Sequence, residues 1–278
     1  MAAFIADLHT HSTASDGALA PAALVQRAAR LGLSVLALTD HDTTAGVDEA
    51  ASTAAAADIL FVPGIELSTQ APVGDLHMLG YGIDPSASVL RNHLAELREQ
   101  RIRRIDRMLA RLRELGIDIP TSTVRPGGDD ASVGRPHIAR ALVAAGYVSS
   151  VHEAFDRYLG DGRPAFIAIE HMPAEDAIEL IRLAGGLPVM AHPLSLPNFT
   201  QRLPALVAAG LRGLECYYGR YDQSQREALV RTADAAGLIA TGGTDFHGDD
   251  YAEGRDLGSV EIPQARVEQL LRAIGRLH

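Results

Sequence analysis

Lysine is missing from the 278 residues, so all 25 basic side chains are arginine. Its absence removes Schiff-base chemistry, a lysine-anchored pyridoxal phosphate and the lysine of a phosphate-binding P-loop. Tryptophan is absent as well. A single cysteine, Cys216, leaves no internal disulfide and no thiolate-built zinc site. Its place in the apolar run GLECYY reads as a strand residue in or beside the core. No run of about eighteen apolar residues occurs, so no membrane span is expected. The first residues, MAAFIADLHTHS, have neither a charged n-region nor a long apolar stretch, so no signal peptide is expected and the cytoplasm is the default location.

What is present suits a globular enzyme. Hydrophobic residues make up 47 %, enough for a buried core. The formal net charge of -10 speaks against a protein that coats long DNA or RNA. It does not exclude a small anionic substrate, because bound cations reverse the local sign.

Short apolar runs alternate with helical patterns in the first third. Phe4 to Asp7, SVLALTD, ILFVPGIE and LHMLGYGI read as strands. PAALVQRAARLG reads as a helix begun at Pro21, and TTAGVDEAASTAAAA as one capped by Thr43 or Thr44. The rhythm then changes to a long charged helix from Val89 to Leu115, the turn-rich TVRPGGDDASVGRP, and the helices HIARALVAAG and SVHEAFDRYLG. Alternation resumes with the strand candidates AFIAI, LPVMAH, GLECYY, LIATGGTD and Leu257 to Ile262. Helices fall near Pro173 to Ala184, Leu203 to Gly210, Gln223 to Gly237 and Ala265 to Leu277. The reading is an α/β barrel of parallel strands, residues 1–88 and 164–278, interrupted by a helical insertion at 89–163 that covers the active site.

Ligand-type side chains gather where those strands end. DLHTHS supplies Asp7, His9 and His11; TDHD supplies His41 and Asp42; GIE supplies Glu66. MAHP supplies His192, and GTDFH supplies Asp245 and His247. Residues two apart on a strand share a face, so His9 with His11 and Asp245 with His247 can each approach one ion. A parallel barrel brings all its C-terminal strand ends to one rim. Asp16, in the SDG turn, can point back over that mouth, whereas His77 lies near the start of its strand. His93, His152, His171 and His278 fall in helical, loop or tail settings where no metal is expected. Imidazole and carboxylate without thiolate suit Zn, Mn or Fe, and the number of carboxylates favours Mn. So many ligand groups exceed the need of one ion and imply two or three. Such clusters stabilise the attacking and leaving oxygens of an in-line displacement and generate hydroxide near neutral pH, which fits phosphate ester hydrolysis.

DLHTHS, TDHD, PGIE, MAHP and GTDFHG, in this order, resemble the PHP (polymerase and histidinol phosphatase) superfamily of metal-dependent phosphoesterases. The resemblance implies a distorted (β/α)7, TIM-like barrel with a metal cluster at its mouth. Carried over motif by motif, it implies one ion held by His9, His11, Glu66 and Asp245, and a second by Glu66, His77 and His192. A third would use Asp16, His41 and His247. Many relatives have His where this chain has Asp16, which makes that third site harder and richer in oxygen.

VGRPHIARALVAAGYVSSVHEAFDRYLGDG is similar to the branch containing nucleoside 3′,5′-bisphosphate phosphatases and 5′→3′ exoribonucleases. On that resemblance Arg135 and His137 hold a substrate phosphate, for which a planar guanidinium is suited. Asp42, beside His41, is expected to handle a proton or to support that ligand. The Arg-rich stretch Arg98 to Arg113 also carries acidic partners at helical spacing and reads as a solvated, salt-bridged face. The expected reaction is removal of the 3′-phosphate from a nucleotide such as 3′-phosphoadenosine 5′-phosphate, leaving 5′-AMP. A 5′→3′ exonuclease on short RNA is the nearest alternative, and it differs in whether the cleft is open at its far end. A histidinol-phosphate phosphatase and a catalytically silent metal-binding protein are the others.

Overall fold

The computed structural model describes residues 5–70, 76–124, 131–249 and 254–277. Phe4 of the first expected strand, His278 and residues 125–130 of the expected turn segment lie outside them. The first half runs β1 (Ala6–Asp7), α1 (Pro21–Arg30), β2 (Val35–Leu38), α2 (Val47–Ala56), β3 (Leu60–Thr69) and β4 (Leu76–Tyr81). Helices α3 (Ser88–Glu114), α4 (Thr121–Val124), α5 (Arg135–Ala144), α6 (Val151–Ala154) and α7 (Ala174–Leu183) follow. The chain then forms β5 (Leu187–Met190), α8 (Phe199–Ala209), β6 (Gly213–Tyr218), α9 (Gln223–Ala235), β7 (Ile239–Gly243) and α10 (Gln264–Ala273). Among the described residues no helix is long and apolar enough to cross a membrane.

The seven strands form one sheet in chain order. It curls until the ends of β1 and β7 meet: Thr10 and Phe246 form a parallel bridge, and Asp245 N donates to His9 O at 2.9 Å. The fold is thus the expected seven-stranded α/β barrel, nearly closed. The closing contact leaves no room for a side chain. A Cβ on Gly243 would sit 2.4 Å from His9 N and 2.5 Å from His9 Cβ. Gly243→Ala therefore forces β1 and β7 apart, at an expected cost of about 1–3 kcal/mol. A thermal melt checks this: Tm should fall by ~2–4 °C for each kcal/mol lost, with weaker metal uptake because His9 moves.

The barrel is not wholly parallel. β3 and β4 pair antiparallel, as do β4 and β5. Only residues 70–75 separate β3 from β4, whereas a parallel crossover needs about a dozen residues or more. Two expected strands are absent. AFIAI and the stretch from Leu257 to Ile262 are irregular. The carbonyls of AFIAI are taken by arginines of α3: Arg104 Nε donates to Ile167 O at 2.7 Å and Arg111 to Phe166 O at 2.5 Å. In the second stretch Leu257, Val260 and Ile262 are buried, and one-sided burial of an irregular segment mimics strand alternation. Helix α2 also begins later than expected, with Gly46 at its cap; Thr43 Oγ1 instead accepts the Ala45 N–H in the preceding turn.

Helix α3 serves two cores. Leu90, Leu94 and Leu97 of its first turns pack in the barrel's apolar layer with Ile178 and Ile181 of α7. Ile105, Met108, Leu109 and Leu112 pack instead with Ile138, Ala139 and Leu142 of α5 in a separate apolar cluster. The segment 89–163 thus carries a core of its own, while its first helix is rooted in the barrel. Cys216 is fully buried on β6, and burial pushes its thiol up, away from reactivity.

Candidate metal centre

The strand ladders continue past the last regular residues and set the ligands in place. His41, past the end of β2, forms a parallel bridge with Glu66 of β3, and Asp42 N donates to Glu66 O at 2.9 Å. Ser68 pairs with His77 across the β3–β4 ladder. Because β4 runs antiparallel to its neighbours, its first residues lie at the rim where the parallel strands end. That explains how His77, near a strand start, reaches the same mouth as the others.

Glu66 is fully buried and stands at the middle. Its Oε2 lies 3.2 Å from His9 Nε2, 3.3 Å from His11 Nε2 and 3.1 Å from His41 Nδ1. Its Oε1 lies 2.9 Å from His77 Nδ1 and 3.0 Å from His192 Nε2. Asp245 Oδ1 is 3.1 Å from His11 Nε2 and 3.5 Å from His9 Nε2, and Asp16 Oδ1 is 3.3 Å from His247 Nε2. Among the described residues three groups have donor atoms close enough to share an ion: His9, His11, Glu66 and Asp245; His11, Asp16, His41 and His247; and His41, Glu66 and His77. His192 joins none of these groups, although its Nε2 faces the same Glu66 oxygen as His77.

The chemistry of the donors fits divalent cations. His11 Nδ1 and Nε2 and His41 Nδ1 are buried without a hydrogen bond, a costly state unless something else takes their lone pairs. Burial drives the His41 imidazole down to about 3, so it stays neutral and able to ligate. Burial alone would raise the Glu66 carboxyl, but the ring of imidazoles around it outweighs burial and holds the group well below the usual carboxylate range. Asp245 follows the same pattern, with His9, His247 and Arg255 overcoming burial.

A second ring of groups orients the first. His9 Nδ1 donates to Glu215 Oε1 at 2.8 Å, which leaves Nε2 for the centre. The other oxygen of Glu215 accepts the His192 N–H at 2.7 Å, so one buried carboxylate ties two candidate ligands together. His247 Nδ1 donates to Asp245 O at 2.8 Å, and His192 Nδ1 meets Ser195 Oγ at 2.8 Å. Asp7 does not reach the centre. Its carboxylate accepts from Thr244 N, Thr244 Oγ1 and Gly258 N at 2.6–2.9 Å and so braces the β7 turn. Asp42, His192 and Asp245 all have positive φ, at 51°, 26° and 55°, backbone strain of the kind that persists where surrounding contacts fix a site.

Asp42 is committed elsewhere than to His41. Its Oδ1 accepts the Ser68 N–H at 2.9 Å, and its Oδ2 accepts from the Arg101 guanidinium. Burial would raise this carboxyl, but Arg101 outweighs burial and keeps it ionised. That state suits holding Arg101 better than carrying a proton.

Arg101 and Arg104 are both 9 % exposed, which revises the solvated reading of the Arg-rich helix. Three residues apart, they share the inner face of α3, while Arg103 pairs with Glu99 on the outer face. Together with Arg135, His137 and His171 they line a cavity of ≈ 260 Å³ that reaches His41 and His77. Arg135 stacks between the rings of Phe155 and Phe166, at 5.5 and 5.6 Å, and pairs with Asp161 at 2.7 Å. His137 Nδ1 accepts the Gly134 N–H at 3.1 Å and so caps α5 while facing this cavity. Burial lowers the Arg104 guanidinium to about 10, helped by repulsion from Arg135 and Arg101. Crowded cations of this kind call for an anion between them. His171, where the sequence led to no expectation of a metal and which joins none of the three ligand groups, lines the same cavity with Nδ1 buried and unpartnered. His93 and His152 lie in none of the three ligand groups. The sequence gives no sign of a site role for Glu215, Arg101, Arg104 or His171, because each sits in an ordinary strand, helix or loop pattern.

Comparison with known proteins places this geometry among relatives. The PHP domain model matches residues 7–119. The chain is 37 % identical to the 3′,5′-nucleoside bisphosphate phosphatase of Chromobacterium violaceum over 92 % of this chain and 91 % of that one. It is 39 % identical to a 5′-3′ exoribonuclease of Haemophilus influenzae, over 87 % and 89 %. A solved structure described as a metal-dependent phosphoesterase, from Bifidobacterium adolescentis, superposes with a TM-score of 0.88 at 33 % identity, covering 96 % of this chain and 95 % of that one.

Proposed function

Because the chain belongs to the PHP-domain family of metal-dependent phosphoesterases, we propose that it removes the 3′-phosphate from nucleoside 3′,5′-bisphosphates, leaving a 5′-nucleotide and inorganic phosphate. The observation that carries this reading is the join between the two halves of the site. A carboxylate ringed by five imidazoles shares the residues His41 and His77 with a cavity bearing Arg101, Arg104 and Arg135. A substrate with two phosphates matches both halves.

On this reading His9, His11, Asp16, His41, Glu66, His77, His192, Asp245 and His247 hold two or three divalent ions, with Mn favoured over Zn or Fe by the carboxylates. Such ions supply Lewis-acid stabilisation of the phosphoryl oxygens and activate water. The protein's own groups do the rest. Arg104 and Arg135 grip the 5′-phosphate, and Arg101, fixed by Asp42, completes the cationic wall. Asp42 is thus a positioning residue. His137 fixes the start of α5 and with it Arg135 at the cavity edge.

Hydrolysis of adenosine 3′,5′-bisphosphate, followed by phosphate release and 5′-AMP formation, tests the proposal. Arg104→Ala should raise KM for the bisphosphate at least about tenfold, a loss ordinary for one charge-assisted contact, while a small aryl phosphate lacking the second phosphate changes little. Equal losses on both substrates would contradict the assigned role of the cavity.

A further inference from the structure

The candidate seats for ions overlap, and they are unequally charged. The group His9, His11, Glu66 and Asp245 carries two carboxylates, whereas the group His11, Asp16, His41 and His247 carries one. His11 and His41 each belong to another group as well, so among the described residues only Asp16 and His247 are reserved to this seat. Shared ligands and a lower ligand charge both weaken the hold on a divalent ion.

The surroundings weaken it further. Asp16 and His41 also line the cavity that bears Arg101, Arg104 and Arg135. These guanidiniums already repel one another, since Arg135 and Arg101 both act against the charge on Arg104. A dication placed at Asp16 meets the same repulsion. A phosphate in the cavity reverses it, because its oxygens set negative charge between the arginines and the seat.

Asp16 is gripped from two sides. On the barrel side, Gly17 N donates to Ser12 O and Ala18 N to His247 O, each at 2.8 Å, which folds the turn back over the strand ends. On the insertion side, Ser132 N donates to Ala14 O at 2.7 Å, and the Arg140 guanidinium donates to Asp16 O. Arg140 belongs to α5, the helix whose first residue is Arg135. One helix thus carries both a wall of the anion cavity and the clamp on the seat beside it.

We propose that the seat of Asp16, His41 and His247 fills only when a phosphate occupies the arginine cavity, and that Arg140 is the positioning residue that keeps Asp16 turned toward it. Resting on the reading of that cavity as a phosphate site, this dependence holds whichever nucleoside bears the phosphate. The seat with two carboxylates fills without an anion. By linkage, the phosphate binds more tightly once the last ion is in place, and by the same factor.

Manganese bound per chain, measured by equilibrium dialysis at fixed free manganese with and without 5′-AMP, tests this. Wild type should hold two ions alone and a third with saturating AMP. AMP should bind about tenfold or more tighter at manganese concentrations that fill the third seat. Asp16→Asn should lose the AMP-dependent ion and keep the other two. Arg140→Ala should lower the affinity for the AMP-dependent ion by about tenfold or more, and Arg140→Lys should recover part of it. The sign separates two roles: if Arg140 acted through charge alone, removing it would tighten the ion. Three ions in wild type without AMP, or two ions with AMP bound, overturns the dependence and leaves the phosphate reading standing. Unchanged or tighter binding in Arg140→Ala overturns the role of Arg140. Should Arg140→Ala fail to fold, the wild-type and Asp16→Asn counts decide. Failure of AMP to bind the metal-loaded wild type overturns the phosphate reading first, and this dependence with it.

Discussion

Replacing Glu66 with Gln is expected to lower kcat/KM by about a thousandfold or more, with loss of at least one bound ion per chain. The size follows from the side chain's position. Both oxygens of Glu66 are used, Oε2 facing His9, His11 and His41 and Oε1 facing His77 and His192. The amide keeps the shape and removes the negative charge. It also turns one oxygen into a donor pointed at imidazole nitrogens that need an acceptor or a cation. Folding should survive, because the barrel core is formed by other residues. Metal content, circular dichroism and steady-state rates on the same samples separate a lost ion from a lost fold. An E66Q protein with normal metal content and near-normal rates would mean that the centre lies elsewhere.

Arg101→Ala should be the most destabilising of the arginine changes, at about 3–5 kcal/mol. Arg101 and Asp42 are both buried, and the guanidinium is the charge that keeps the Asp42 carboxyl ionised. Arg101 also reaches Ser68 Oγ at 3.2 Å and ties α3 to β3. Its removal leaves a carboxylate in the interior with, among the described residues, only the Ser68 N–H donating to it. The double change Arg101→Ala with Asp42→Asn should recover much of the loss, because it removes the stranded charge along with its partner. Denaturant unfolding of the two singles and the double checks this. Additive losses would show that the pair is not coupled, and the positioning role of Asp42 would then fail.

The sequence made the motif-bearing parts of the site legible because they obey strand geometry. His9 with His11 and Asp245 with His247 are two apart on strand ends, and the bridge from Thr10 to Phe246 sets these two pairs side by side. His77 was harder to place, since its strand reverses direction; the six residues between β3 and β4 were the signal of that hairpin. Arg101 and Arg104 were hidden by composition. A helix with arginines on every side looks uniformly solvated, and only the packing of α3 into two apolar clusters decides which arginines turn inward. Glu215 was hidden differently. It is a lone carboxylate in an apolar strand, and its partners His9 and His192 are 206 and 23 residues away. AFIAI and the stretch ending at Ile262 carried strand-like composition without a neighbour to pair with.

The most direct measurement is the location and number of ions after the chelated protein is reloaded with manganese. Anomalous diffraction from such crystals, combined with metal analysis of the same preparation, should show at least two manganese ions, one in contact with Glu66, His9, His11 and Asp245. The removal of those ions should abolish phosphate release, and their return should restore it. Full activity in the chelated protein, or manganese bound only at sites away from Glu66, would contradict the account.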